Sequence, residues 1–358
     1  MTGFDDGATL GERFRQHGSM CNSPLYAALM LGLADDWDAG GVVRDVCSGW
    51  ESAPVGSVVQ LRLLAGLHRL VLRSEAPELA TYYPTVGGHG SASGVWPVAR
   101  RVIAAHVSQL HDGLSFAPQT NEVGRAAALA VGLTDAMSRS GSGRVRLLEV
   151  GASAGLNLLV DHVRIEGESW SWGPVESPVR LASAVLGSVV SQRVFIESRR
   201  GCDLSPIDAA SADGRLLLSS YVWPDHLARF ERLRAALQVA SSSPVAVEVG
   251  SAGEWLERVL PGEDPDVLTV VWHSISRMYW PAQEVARVEA ALAAAGRRML
   301  LAHVQLEYLD PGDVGPRLVV QVWRDGVVDG RRTDLALVGD HGVPVTLHDG
   351  VRVADAGC

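Results

Sequence analysis

The chain has 358 residues, 47% of them hydrophobic and 20% charged, so it can build one large domain or two ordinary ones, and wholesale disorder is excluded. All 31 basic residues are Arg, which excludes a Schiff-base lysine and a lysine-linked pyridoxal phosphate. The net charge of -10 argues against general binding to nucleic-acid phosphates.

In chain order, the first 140 residues read as helices. PLYAALMLGLADDW (24–37) has apolar residues at spacings of three and four, and Ser23-Pro24 suits a helix start. SVVQLRLLAGLHRLVLR (57–73), WPVARRVIAAHVSQLHDGL (96–114) and TNEVGRAAALAVGLTDAMSRS (120–140) follow, the last with Thr120 or Asn121 as its cap. PELATYYPTVGGHGSASG (77–94) is a loop, and SRSGSG (138–143) is the predicted domain boundary. Beyond it the pattern changes. RVRLLEV (144–150) suits a strand buried on both faces. RVFIE, PVAVEV, VLTVVWHS, RRMLLAHVQLE, RLVVQVWRDG and RRTDLALVG are further strands. Helical patterns between several of them, such as DHLARFERLRAALQVA and PAQEVARVEAALAAAG, predict a parallel sheet. The last two strands, joined by RDGVVDG, read as an antiparallel hairpin.

Cys21, Cys47, Cys202 and Cys358 form no C-x-x-C pair, so neither a metal site nor a disulfide framework is expected. The N-terminus lacks a basic-then-apolar leader, and no apolar run approaches the roughly 20 residues that cross a bilayer. The expectation is a cytoplasmic protein acting on a small molecule, with no nucleic-acid or membrane partner.

The chemistry centres on LLEVGASAGLNLL (147–159). G-A-S-A-G matches the nucleophile elbow of serine hydrolases, with Ser153 as nucleophile and Asp266 and His303 filling the triad order. An elbow should follow several strands and an oxyanion loop; here it follows the first strand, and GGHGSASG has no strand before it. The other reading is a cofactor loop. Gly151 and Gly155 frame a turn that lets a ligand approach the backbone, leading into a helix whose first N–H groups are free. Glu149 stands two positions before the first glycine, which suits a ligand carrying an ammonium group.

LLEVGASAG resembles motif I of class I S-adenosylmethionine-dependent methyltransferases, with Ser153 at the middle glycine. SPLYAAL, QTNEVGR, LLEVGASAGLNLL, GCDLSPID, YVWPD and VVWHS resemble a bacterial domain-of-unknown-function family with such a core, over residues 23–274. The resemblance implies an α/β fold, a Rossmann-like seven-stranded sheet of order 3-2-1-4-5-7-6. A helical N-terminal domain (1–140) would cover the cleft of an S-adenosylmethionine-binding domain (141–358). Glu149, Gly151, Ser153, Gly155, Asn157 and Asp203 would hold the cofactor, with Asn121 and Arg125 of QTNEVGR reaching it.

Asp203 lies 54 residues after Glu149, so an insertion is required, and RIEGESWSWGPVESPVRL is predicted as a hairpin that supplies it. Glu166 is the alternative for the ribose hydroxyls, and Ser251 stands where an acidic adenine contact is common. Glu122 and Arg125 share one helix face. Tyr221, Trp223, Asp225 and His226 crowd one turn that reads either as a helix start or as part of a polar pocket. His273 is a candidate base, with Ser274 and Tyr279 to orient a nucleophile; Tyr221 and Asp225 complete the catalytic candidates. The expected activity is methyl transfer to a small molecule. Displacement at another carbon of the cofactor, as in aminocarboxypropyl transfer or cyclisation, is the alternative within the fold. Cofactor binding without turnover, or serine hydrolysis, stands outside it.

Overall fold

The computed structural model describes residues 7–190, 192, 194–261, 266–310, 312–324, 326–328, 332–351 and 353. Residues 1–6, Cys358 and part of the RDGVVDG turn lie outside them. Its α-helices are α1 (Leu10–Met20), α2 (Pro24–Asp38), α3 (Val42–Val46), α4 (Val59–Leu72), α5 (Pro77–Ala80), α6 (Val95–Ala105), α7 (Val107–Gly113), α8 (Ala126–Ser140), α9 (Ala212–Ser220), α10 (Leu227–Ser242), α11 (Ala252–Val259) and α12 (Ala282–Gly296). Its strands are β1 (Arg144–Val150), β2 (Arg164–Gly167), β3 (Ser171–Trp172), β4 (Arg180–Leu186), β5 (Phe195–Asp203), β6 (Val247–Val249), β7 (Leu268–Ser274), β8 (Leu301–Glu307), β9 (Arg317–Arg324), β10 (Val327–Val328), β11 (Thr333–Val338) and β12 (Val345–Leu347).

The chain divides into two compact units, Met1–Thr120 with Ser211–Arg234, and Asn121–Ala210 with Ala235–Cys358. The division falls at Thr120/Asn121 rather than in SRSGSG, and the first unit takes back the segment around α9. SRSGSG is the close of α8, with Gly141 at φ 76° as its left-handed stop, followed at once by β1.

The first unit is helical. Thr9 and Glu12 form a reciprocal capping box at α1, and Ser23 caps α2 with Pro24 in the first turn. Leu29, Met30 and Leu33 of α2 and Leu63, Leu64 and Leu67 of α4 are fully buried in one apolar cluster. The helical pattern over 96–114 breaks at His106 into α6 and α7. Val55–Leu72 is, among the described residues, long and apolar enough to cross a membrane, contrary to the reading of the sequence. More than half of it is buried, because α4 is the central core helix of this unit.

The second unit is a mixed sheet with the order β3-β2-β4-β12-β11-β9-β8-β7-β1-β5-β6, and β10 pairs with β9. The stretch β6-β5-β1-β7-β8 is parallel. The expected seven strands in order 3-2-1-4-5-7-6 are not what forms. Among the described residues the sheet has twelve strands, and β8, β9 and β11 lie side by side in chain order as an antiparallel meander. The short link 308–316 favours pairing of sequential neighbours, and a strand inserted between them would need a longer connection. RIEGESWSW forms the predicted hairpin, β2 with β3, at the edge away from β5.

Alternation along β8 sends Val304 towards α8 and Leu301 towards the cluster of α11 and α12. Helices therefore cover both faces, and all of β7 is buried. α8 approaches the sheet closely at Gly132, where an added Cβ would run into Val304 Cγ1. Gly132→Leu should destabilise the protein by about 1–3 kcal/mol through overpacking, measured by urea denaturation; an unchanged midpoint would show that α8 does not sit this close.

Candidate functional site

β1 ends in a loop of unusual backbone. Gly151, Ser153 and Gly155 have φ of 71°, 53° and 71°. A Cβ on Gly151 would lie 2.9 Å from Ser276 Cβ, and one on Gly155 would lie 2.6 Å from Val245 Cγ2. Both positions therefore require glycine for space as well as conformation. The Ala152 N–H donates to the Cys202 carbonyl (3.0 Å), and the Ser153 N–H donates to Asp203 Oδ2 (2.8 Å). Asp203 Oδ1 accepts from the Ser205 N–H (2.9 Å). One carboxylate at the end of β5 thus clamps two loops.

The loop does not open onto an α-helix. Leu156–His162 is a 3₁₀ segment with a break at Leu159, so the expected row of free helix N–H groups is not formed. The Leu156 N–H is taken by Asn121 Oδ1 (2.9 Å). Asn121 was expected to cap a helix; it braces the loop instead, and α8 starts five residues later, after a 3₁₀ turn over Val123–Arg125. Glu122 caps that turn through the Gly124 N–H (3.3 Å). Arg125 donates to the Ser274 carbonyl (3.0 Å) and hydroxyl (3.3 Å), reaching the end of β7.

Glu149 lies beside Trp272 in the β1–β7 register and is 2% exposed. Burial raises its carboxyl to about 8, while Asn157, Trp272 and then Arg125 pull the other way. Its Oε2 is buried without a hydrogen-bond partner, and so is Asn157 Oδ1. Two orphaned acceptors at the mouth of a glycine loop are uncommon in a folded interior. A cavity of about 420 Å³ adjoins the loop, lined by Ala154, Pro206, Ile207, Asp208, Val245 and Val247 among others.

At the end of β7, His273 is fully buried. Its Nδ1 is 2.7 Å from Glu307 Oε1, and its Nε2 is 2.9 Å from His303 Nε2. With Nδ1 of His273 on the carboxylate, one of the two facing Nε2 atoms donates to the other. Burial, then His273, holds His303 well below its ordinary value. The same Glu307 oxygen accepts from the N–H groups of Ser276 (3.0 Å) and Arg277 (3.1 Å), so it shapes the chain leaving β7. Tyr279 is exposed.

The sequence candidates thus separate. Glu149, Gly151, Ser153, Gly155, Asn157, Asp203, Asn121 and Arg125 meet around one loop of the second unit. Tyr221 and Asp225 belong to the first unit, where the Tyr221 hydroxyl donates to the Ala117 carbonyl (2.9 Å) and Asp225 accepts from Ser23 and Leu25. Glu166 is engaged with Arg164 and Arg180 on the β2 edge, so the ribose alternative is not beside the loop. Ser251 precedes α11 as its cap residue. Asp266 precedes β7 while Ser153 follows β1; these strands are parallel, so the two lie at opposite ends of the sheet, about 20 Å apart, and complete no triad. Glu307, Ser276 and Asp208 were missed. For Glu307 a signal existed: LAHVQLE sets His303, Gln305 and Glu307 at alternate positions of a fully buried strand.

The sequence model of a family described as "Uncharacterized protein conserved in bacteria (DUF2332)" matches residues 11–346. Neither a curated protein nor a solved structure matches the chain.

Glu149 sets a pH dependence. Its folded pKa of about 8 lies above its ordinary 4.5, so the folded chain keeps a proton that the unfolded chain gives up. The stability it contributes is present in full below about 4.5 and is lost as pH rises through 8, on the order of a few kcal/mol. Glu149→Gln should flatten that part of the profile and stabilise the ligand-free protein near pH 8. Parallel urea profiles of the two proteins from pH 5 to pH 9 would refute the assignment.

Proposed function

The chain belongs to this bacterial family, and we propose that it is an S-adenosylmethionine-dependent transferase, most simply a methyltransferase, acting on a small molecule in the cytoplasm. The observation that carries the reading is the pair of buried, unpartnered acceptors, Glu149 Oε2 and Asn157 Oδ1, beside the glycine loop. An ammonium group would donate to both and draw Glu149 back to its charged form.

The rest of the site supports the same ligand. β1 is the topological switch point of the parallel strands, since the chain runs from β1 to β5 on one side and later returns to β7 on the other. Ligands of open α/β sheets bind at such points, at the carboxyl ends of the strands. Asp203 stands on the adjacent strand, each oxygen engaged by one N–H and still able to accept a ribose hydroxyl. The cavity walls at Ala154, Pro206 and Val247 are apolar and suit a nucleobase, with Asp208 as an acceptor for an exocyclic amine. Cys21, Cys47 and Cys202 are free thiols, as in a reducing compartment.

The sulfonium supplies an electrophilic carbon. When bound, it would give that carbon to a nucleophile of the substrate, the electron pair of the broken carbon–sulfur bond leaving with sulfur. Holding the two in line is the main contribution of the protein. Arg125 and Glu307 keep the chain after β7 in place at the ends of the same strands.

Calorimetric titration tests this directly. S-adenosylmethionine and S-adenosylhomocysteine should bind at micromolar level, about -8 kcal/mol. Binding should tighten as pH rises towards 8, because Glu149 must give up its proton. Glu149→Gln and Asp203→Ala should each weaken it about tenfold or more, whereas Ser153→Ala should leave it within a few fold. Absence of binding by the unaltered protein at millimolar ligand would overturn the reading.

A further inference from the structure

The cavity beside the loop after β1 is larger than a nucleobase needs. Its volume is about 420 Å³. A purine has about ten non-hydrogen atoms, and allowing each the roughly 30 Å³ of a liquid water molecule, which is generous for bonded atoms, it fills at most about 300 Å³. Space for several more atoms is left over. The lining also reaches further than a base. It follows the chain from Pro244 to Val249, an extended span of roughly 16 Å.

One wall of that space is backbone. Among the described residues β6 pairs with β5 alone, so it is the outer strand. The Ala246 carbonyl accepts from the Gly201 N–H (2.9 Å), and the Gly250 N–H donates to the Asp203 carbonyl (3.0 Å). Successive residues of a strand turn their backbone groups to opposite sides, so the N–H and C=O groups of Val247 and Val249 point off the sheet, away from β5. Both residues line the cavity. The side chains around the rest of it are small, with Ala209 and Ala210 after β5 and Ala240 near the end of α10. Asp208 lies in the same wall, its Oδ1 accepting from the Ala210 N–H (2.9 Å). Spare volume, an alanine wall and a strand edge without a partner strand therefore meet in one place.

Resting on the S-adenosylmethionine reading of this site, we propose that the cavity takes a purine whose exocyclic nitrogen carries a short acyl group. The amide N–H of such a ligand is donated to Asp208. Its carbonyl accepts from an N–H of the β6 edge, as an added strand would. Its alkyl chain lies on Ala209, Ala210 and Ala240 and fills the volume that the base leaves. A plain 6-amino purine meets Asp208 but leaves the strand edge and the alanine wall to water.

The test is calorimetric titration of the full chain with S-adenosylhomocysteine and with its derivatives carrying a butanoyl or a butyl group on the exocyclic nitrogen. The butanoyl derivative should bind about fivefold tighter than the parent or better. The butyl derivative has the chain without the carbonyl, and should bind about threefold more weakly than the butanoyl one or worse. Ala240→Leu fills the alanine wall, so it should cost the butanoyl derivative about tenfold while leaving the parent within a few fold. Should Ala240→Leu not fold, Ala246→Leu fills the cavity from the β6 side and carries the same expectation. The proposal is overturned if the parent binds and the butanoyl derivative binds more weakly, or if the butyl and butanoyl derivatives bind alike; the cofactor reading then stands without it. If none of the three compounds binds at millimolar concentration, the cofactor reading falls and this proposal falls with it.

Discussion

The hydrogen bond from the Ser153 N–H to Asp203 Oδ2 closes the loop after β1 onto the end of β5. Most of the candidate site depends on that closure. It holds three consecutive odd positions, Gly151, Ser153 and Gly155, at positive φ, of which only two are glycine. A left-handed serine costs on the order of 1 kcal/mol or more, and the charged acceptor on its own N–H offsets that cost. With the loop turned this way, Gly151 packs against Ser276, just beyond the end of β7, and Gly155 packs against Val245 leading into β6. One carboxylate thereby brings the ends of β1, β5, β6 and β7 to the same place.

Two other carboxylates, equally buried, show how environment divides roles. Glu307 accepts from His273 and from two backbone N–H groups on a single oxygen. It is a structural anchor, and its contacts fix the path of the chain after β7. Glu149 has an oxygen with no partner, and burial favours its protonated form. A buried acid with one oxygen unmet is costly to the fold. Under the proposed reading a cationic donor would recover that cost, and its binding would release a proton.

The sheet places these groups by a simple rule. Parallel strands β6-β5-β1-β7-β8 set all their carboxyl ends on one edge, and β1 sits where the order of connection reverses. The antiparallel meander that follows does not alter this edge. It lengthens the sheet and provides the second neighbour for β8, so that β8 is an interior strand, and with helices on both faces it carries His303, Gln305 and Glu307 inside the protein.

The sequence by itself determined the local features. Apolar runs such as VLTVVWHS can only be strands covered on both sides, and the helical periodicity of 24–37 and 57–73 gives α2 and α4 within two residues. G-A-S-A-G after an apolar strand demands a left-handed turn, because glycine alone takes that backbone at no cost. The placement of Glu149, Gly151 and Asp203 around the loop was legible for that reason: it follows from position relative to a strand end. What tertiary structure decided is which distant groups meet. Asn121 reads as a helix cap in isolation, since nothing local tells its side chain that Leu156 offers a better donor. The order of the last strands depends on pairing energies between segments, and the division at Thr120 depends on which core each helix joins. Orphaned atoms such as Glu149 Oε2 and Asp225 Oδ1 are likewise invisible in a sequence, because an unmet hydrogen bond is a property of everything packed around it.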